Sequence, residues 1–203
     1  MAPKIVDKDE KRQAIALTAV EVFGENGFER TRIDDVAKAA GVGKGTIYEY
    51  FKNKEELMDG ALQVMLSGMH DALMPEPEPE RSPVEILKEM SLKIVDAMDG
   101  MGGAYRFFLE YMLHASRKGD YGEFEHLLVG YRQWLATLID AGKAAGEFRE
   151  DVDSYKTAAA FAAWFDGAIF HWIVMPEDVS LTDMVEQYLE MTLRGLMKKG
   201  SVS

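Results

Sequence analysis

The chain of 203 residues contains no cysteine, which excludes disulfides, thiolate zinc sites and cysteine nucleophiles. Proline is scarce, and three of its six occurrences fall in Pro75-Glu76-Pro77-Glu78-Pro79-Glu80. Alternating proline and charge is extended, solvated chain, read here as a surface loop rather than a domain linker. No uninterrupted apolar run approaches the roughly 20 residues that span a bilayer, so no membrane-spanning segment is expected. Residues 1–11 are charged and lack the apolar stretch of a signal peptide. A soluble, cytoplasmic protein without a membrane partner is the expectation. Strand-period alternation is also missing. So are the motifs of common enzymes: no Ser/His/Asp signature, no phosphate-cradling glycine loop followed by Lys-Ser/Thr, no paired metal motif. Gly100, Gly102 and Gly103 make a glycine-rich stretch, but it follows helix rather than strand. Glu110 and His114 have the spacing of two metal ligands on one helix face. With no third ligand converging, the histidine reads as a satisfied core or surface residue. No catalytic residue, cofactor or metal is expected.

An excess of positive charge is lacking as well, since the formal net charge is −12. The deficit is unevenly spread. Residues 1–54 carry 10 Lys/Arg against 9 Asp/Glu, and the remainder carries 13 against 26. Such asymmetry suits a protein that touches nucleic acid with one end only.

Apolar residues recur at helical spacing nearly everywhere. A first helix is expected over 9–25, with Ile15, Ala16, Ala19, Val22 and Phe23 on one face and Asn26-Gly27 ending it. A second follows Thr31, whose hydroxyl caps it with Asp34 three residues on, and ends near Ala40. A short third helix covers 44–51. Asn53, with Glu56, caps a fourth that reaches Leu73. Ser82-Pro83-Val84-Glu85 restarts helix with a cap, a proline at the first helical position and a capping-box Glu. Further helices are expected over 83–98, 104–116, 121–145, 154–174 and 181–199, the last capped by Ser180 with Asp183. The fold class is all-α.

The informative stretch is Thr31 to Leu57, TRIDDVAKAAGVGKGTIYEYFKNKEEL. It holds two short helices joined by Ala40-Gly41-Val42-Gly43, where Gly41 permits the positive backbone angle of a tight turn. Ile33, Val36, Ala37, Ala40, Val42, Ile47 and Phe51 form an apolar seam between them. Lys44, Thr46, Tyr48, Glu49 and Tyr50 are left for solvent or a partner. A helix-turn-helix presents its second helix to the major groove, N-terminal residues foremost, and Lys44 and Thr46 sit there.

This stretch resembles the DNA-binding domain of the TetR (tetracycline repressor) family. The residues in step with the family pattern are Thr31, Asp35-Val36-Ala37, Ala40-Gly41-Val42, Lys44-Gly45, Tyr48, Tyr50-Phe51, Lys54 and Leu57. Upstream, Ala19, Val22-Phe23 and Gly27-Phe28 resemble the family's first helix. The close match covers about the first 60 residues. Beyond it the resemblance rests on length, helical character and Trp164-Phe165-Asp166-Gly167. One departure is Gly43, where the family usually has Ser: glycine is tolerated as an N-cap but brings no hydroxyl.

The resemblance implies an N-terminal three-helix helix-turn-helix domain, residues 1–53, and a larger helical effector-binding and dimerisation domain, residues 54–203. It implies a ligand-responsive regulator, a repressor by the family's usual mode, bound to palindromic double-stranded operator DNA as a homodimer. Lys44, Gly45, Thr46 and Tyr48 are the base-reading candidates. Thr31, Arg32, Tyr50 and Lys54 are the phosphate candidates. Glu49 repels phosphate yet could accept from a cytosine amino group, so its role stays open. Met65, Met69, Phe107, Tyr111, Trp134, Trp164 and Phe165 are the effector-pocket candidates, for a small, apolar effector; a Met/aromatic set at helical spacing also reads as plain core. The helices over 154–174 and 181–199 are expected to form the dimer, with Ala158, Ala159, Ala162 and Ala163 small enough for close helix approach. A helical interaction module, or an enzyme with a vestigial helix-turn-helix, is the alternative. The retained Lys44, Tyr48, Tyr50 and Lys54 argue against both.

Overall fold

The computed structural model describes residues 8–74, 81–98 and 102–198, with the side chains of 69–73, 102 and 123 outside the description. Pro75–Glu80, read above as a loop, lies outside the described residues. Nine α-helices occur among the described residues: α1 Lys8–Asn26, α2 Ile33–Ala39, α3 Lys44–Tyr50, α4 Lys54–Leu73, α5 Pro83–Met98, α6 Gly102–Lys118, α7 Gly122–Ala144, α8 Ser154–Val174 and α9 Leu181–Leu196. An isolated antiparallel bridge, Phe148 to Met197, is the one β pairing among them. The helices form two compact units. The first comprises residues 1–70 and 99–125, and the second 71–98 and 126–203.

In the first unit the core follows the apolar stripe of α1. Ile15, Ala16, Ala19 and Phe23 are buried with Val36 and Ala37 of α2, Ile47 of α3, Phe51, and Leu57, Ala61 and Leu62 of α4. Each large side chain removed from water in this way contributes about 1.5–3 kcal/mol. α1 packs most extensively on α6. Their backbones meet where a side chain on Gly24 would put its Cβ 2.3 Å from the Gly103 carbonyl oxygen. Only glycine allows that crossing. Phe107 of α6 stacks on Phe23 with ring centroids 6.2 Å apart.

The second unit packs α5 on α9 and α8 on α9. Leu135 and Ile139 of α7, Phe161 and Phe165 of α8, and Val185, Leu189 and Leu193 of α9 are buried. Fully buried Phe148 lies against Gly142, where an added Cβ would fall 2.2 Å from the ring.

Several helix ends differ from the sequence expectation. The Thr31 hydroxyl does not cap α2. It donates back to the Gly27 carbonyl at 2.8 Å, and Asp35 rather than Asp34 accepts the Arg32 amide, at 2.8 Å. The helix therefore starts one residue later, with Arg32 as N-cap. At α5 Ser82 caps as expected, its hydroxyl accepting the Val84 amide at 3.2 Å, and Glu147, from the α7–α8 connection, accepts the Ser82 hydroxyl at 2.8 Å and shares the Val84 amide at 3.3 Å. Asn53 caps α4 through the Glu56 amide at 2.7 Å, and Ser180 caps α9 through the Asp183 amide at 3.1 Å, both as expected.

By length and composition alone α8, with 21 residues, is apolar enough to cross a membrane, although Asp166 and His171 break its apolar run. Most of that stretch is not buried within the chain. A core helix with one face reserved for another protein surface passes the same test.

Candidate nucleic-acid interface

The α2–α3 pair sits in the first unit on a scaffold of buried apolar residues. Ile33, Val36, Ala37, Ile47 and Phe51 of the expected seam are buried, while Ala40 and Val42 are half-buried at its edge. Gly41 turns the chain with φ +64°, and the Val42 amide closes the turn on the Ala37 carbonyl at 2.9 Å. Gly43 occupies the N-cap of α3 in extended conformation with no side-chain cap. The missing hydroxyl noted in the sequence is therefore not supplied by another described side chain.

With Ile47 inward, the opposite face of α3 is open. Lys44, Gly45, Tyr48 and Glu49 are exposed, and Thr46 and Tyr50 are half-buried. Tyr48 leaves 48 % of its surface to solvent, an uncommon share for a large aromatic. Lys44 Nζ lies 2.9 Å from Asp34 Oδ2 of α2, and both side chains are more than half exposed. Its hydrogen bond to Asp34 raises the Lys44 pKa above the ordinary lysine value.

The four phosphate candidates divide. Arg32 is exposed and Tyr50 half-buried. Thr31, 2 % exposed, has its hydroxyl engaged with the Gly27 carbonyl. Lys54 is turned inward. Its ammonium donates to the carbonyls of Phe28 at 2.8 Å and Thr31 at 3.2 Å, and it stands 4.2 Å from the centre of the Phe28 ring. The first residue of α4 thus holds the α1–α2 turn closed. Sequence spacing recognised Lys54 but could not reveal that its donors point into the fold.

A residue whose role the sequence reading missed acts on the same turn. Glu110 of α6 accepts the Phe28 amide at 2.9 Å, and His114, one turn further, packs its ring on Phe28 with centroids 4.4 Å apart. Glu110 and His114, four residues apart, thus both meet one phenylalanine, and the histidine expected to be satisfied is not fully so. His114 Nε2 is buried without a hydrogen-bond partner among the described residues. Burial lowers the His114 pKa, with Lys118 adding to it and Glu55, Glu29 and Asp59 opposing.

The effector-pocket candidates are split between the units. In the first, Phe107 and Tyr111 are buried and Met65 is half-buried; the Met69 side chain lies outside the described residues. In the second, Phe165 is buried, and Trp134 and Trp164 are half-buried. Trp164 stacks flat on Tyr188 of α9, centroids 3.8 Å apart and planes 4° apart, with Phe161 and Phe165 against the same tyrosine. In the same unit Arg132 Nε is buried with no acceptor among the described residues. Desolvation raises the pKa of Asp166, next in sequence to Phe165, and the charge of Arg132 opposes that rise.

Comparison with known proteins agrees with this geometry. Residues 15–61 match the family described as "Bacterial regulatory proteins, tetR family", and residues 83–194, more than half of the chain, match "BetI-type transcriptional repressor, C-terminal". The "Fatty acid metabolism regulator protein" of Bacillus subtilis (strain 168) is 26 % identical over 194 residues, covering 95 % of this chain and 98 % of the relative. The "HTH-type transcriptional regulator TtgR" of Pseudomonas putida is 27 % identical over 203 residues, covering 92 % and 91 %. The solved fatty acid degradation regulator FadR from Bacillus halodurans superposes with a TM-score of 0.78 at 25 % identity, covering 93 % of this chain and 97 % of that one. An open recognition-helix face on a packed three-helix head, carried by an all-helical chain that matches along both parts, makes this protein a member of the TetR family of transcriptional regulators.

Proposed function

We propose that the protein is a homodimeric repressor that acts in the cytoplasm, binds a palindromic operator, and releases it when a small, apolar effector occupies its helical body. The observation that carries this reading is the outward face of α3, where Lys44, Gly45 and Tyr48 are exposed on a helix anchored by fully buried Ile47. Lys44, Gly45, Thr46 and Tyr48 read base edges, and Arg32 and Tyr50 meet phosphates. Thr31 and Lys54 position the head from within. The dimer reading is supported by apolar side chains left uncovered on α8 and α9: Phe170, Ile173, Val174 and Met191, the last two 60 % and 65 % exposed. Two copies each presenting such a face form a self-complementary interface. The aromatic cluster of Trp164, Phe165 and Tyr188, with the B. subtilis relative named for fatty acid metabolism, supports an apolar effector.

Selection of duplexes from random DNA by the purified full-length protein, followed by footprinting, tests the reading. A palindrome with half-sites about one helical turn apart, or a multiple of it, is expected. Operator titration with each hit from a thermal-shift library should then find a compound that weakens DNA binding roughly 5- to 150-fold, the span of an ordinary allosteric coupling. No enriched sequence would defeat the DNA reading. Tight ligands that leave operator affinity unchanged would defeat the effector reading.

A further inference from the structure

The peptide unit at Phe28 is held at both ends by side chains from distant helices. α1 ends with Gly27 at φ +80°, whose amide bonds the Phe23 carbonyl at 2.9 Å. This terminal geometry leaves the next amide, that of Phe28, without a partner on its own helix. Glu110 of α6, 82 residues on, accepts it. On the other side of the residue Lys54 takes the Phe28 carbonyl. The ring has Lys54 Nζ 4.2 Å from its centre and His114 packed on it. A Cβ on Gly27 would sit 3.4 Å from Glu110 Oε1, so the carboxylate lies close along the glycine. The turn that follows, Glu29–Arg32, leads straight into α2, and α2 with Gly41 fixes α3.

We propose that Glu110 is a positioning residue for DNA reading: its bond to the Phe28 amide, opposite Lys54, clamps the helix-turn-helix to α6 and sets the orientation in which α3 meets the groove. Glu110 touches no DNA. It acts through the α1–α2 turn, where its loss leaves a part-buried amide unsatisfied and one side of the clamp open. Glu110 is half-buried, so the test must separate the clamp from general stability. The inference rests on the DNA-reading proposal for its consequence and on the turn geometry alone for its existence.

Two measurements on full-length protein separate these. Hydrogen exchange followed by mass spectrometry reports local opening. Glu110→Ala removes the acceptor. Glu110→Asp keeps the charge but withdraws it by one methylene, and serves if the alanine variant does not fold. Both are expected to speed exchange roughly tenfold or more in peptides covering residues 27–51, with peptides of α5 and α9 unchanged. Glu110→Gln, whose amide oxygen still accepts, should remain within about threefold of the native protein. On the selected operator, Glu110→Asp should bind roughly tenfold more weakly and lose preference for the native half-site spacing over insertions of one base pair, while binding random DNA as before. Exchange in 27–51 unchanged in both variants would overturn the clamp. Faster exchange with operator affinity and spacing preference intact would overturn the positioning role, and so would equal acceleration in α5 and α9, which marks a residue of general stability. If the native protein selects no sequence, the DNA-reading proposal falls and the positioning role with it, while the exchange arm still decides whether Glu110 holds the turn.

Discussion

At the scale of the residue, the proposed reading gives specificity to the outward side chains of α3 and shape to the buried Ile47. Lys44→Ala and Tyr48→Ala should each reduce the ratio of operator to random-DNA affinity roughly tenfold, because base contacts discriminate and phosphate contacts do not; equal loss on both DNAs, measured by titration at fixed salt, would contradict base reading. His114 is a different kind of residue, an imidazole whose burial against Phe28 disfavours its charged form. A histidine with a pKa lowered in the folded state binds fewer protons folded than unfolded. Its contribution is therefore complete above the ordinary histidine pKa of 6.5 and is lost as pH falls through the window below it. Glu29, Glu55 and Asp59 soften that loss by favouring the cation. Stability of the first unit should fall as pH drops below about 6.5 in the native protein, and His114→Phe, which keeps the ring contact, should remove that slope. Denaturation midpoints at four or five pH values decide it, and identical slopes in both proteins would remove His114 from the account.

At the scale of the element, helices were legible in the sequence wherever apolar spacing and glycine stops were enough. α2, α3, α5 and α8 fall within a residue or two of expectation. What could not be read was which long-range partner satisfies each helix end. Glu147 reaches the start of α5 from 65 residues away and Glu110 serves the end of α1 from 82 residues away, partners placed by the fold and not by sequence spacing; at α2 the cap merely moves one residue on, with Asp35 serving Arg32. The site shows the same division: exposure of Lys44 and Tyr48 followed from the helical period, whereas the inward aim of Lys54 depends on carbonyls over 20 residues away. The α1–α6 crossing was invisible because a glycine's neighbour is a tertiary fact. Gly24→Ala must push the helices apart at Gly103, costing roughly 1–3 kcal/mol as overpacking does; a thermal midpoint at or above that of the native protein would show that the crossing yields freely. For α8, Phe170→Glu should shift the dimer dissociation constant upward at least tenfold, roughly, by placing a charge in the apolar face. Light scattering at micromolar concentration reads it, and an unchanged dimer with helicity retained would place the interface elsewhere.

At the scale of the whole molecule, the acidic surplus lies outside residues 1–54, so the long-range field of the chain opposes a polyanion while its reading face does not. The ion pair between Lys44 and Asp34 adds a local version of the same opposition. Until DNA arrives, Asp34 occupies the cation. Any duplex that engages Lys44 must first displace this tethered carboxylate, whatever its sequence. An equal cost lowers every affinity by the same factor, so the pair weakens operator and random DNA alike and leaves their ratio unchanged. Asp34→Asn should therefore tighten binding to operator and to random DNA by similar factors, most clearly at low salt. Unchanged affinity for both would mean that the pair is a surface ornament of the free protein. In a cell, where non-specific sites outnumber operators by about a millionfold or more, promoter occupancy follows the ratio of the two affinities, so a regulator that carries its own decoy anion would spend less time parked on irrelevant DNA without surrendering its promoter.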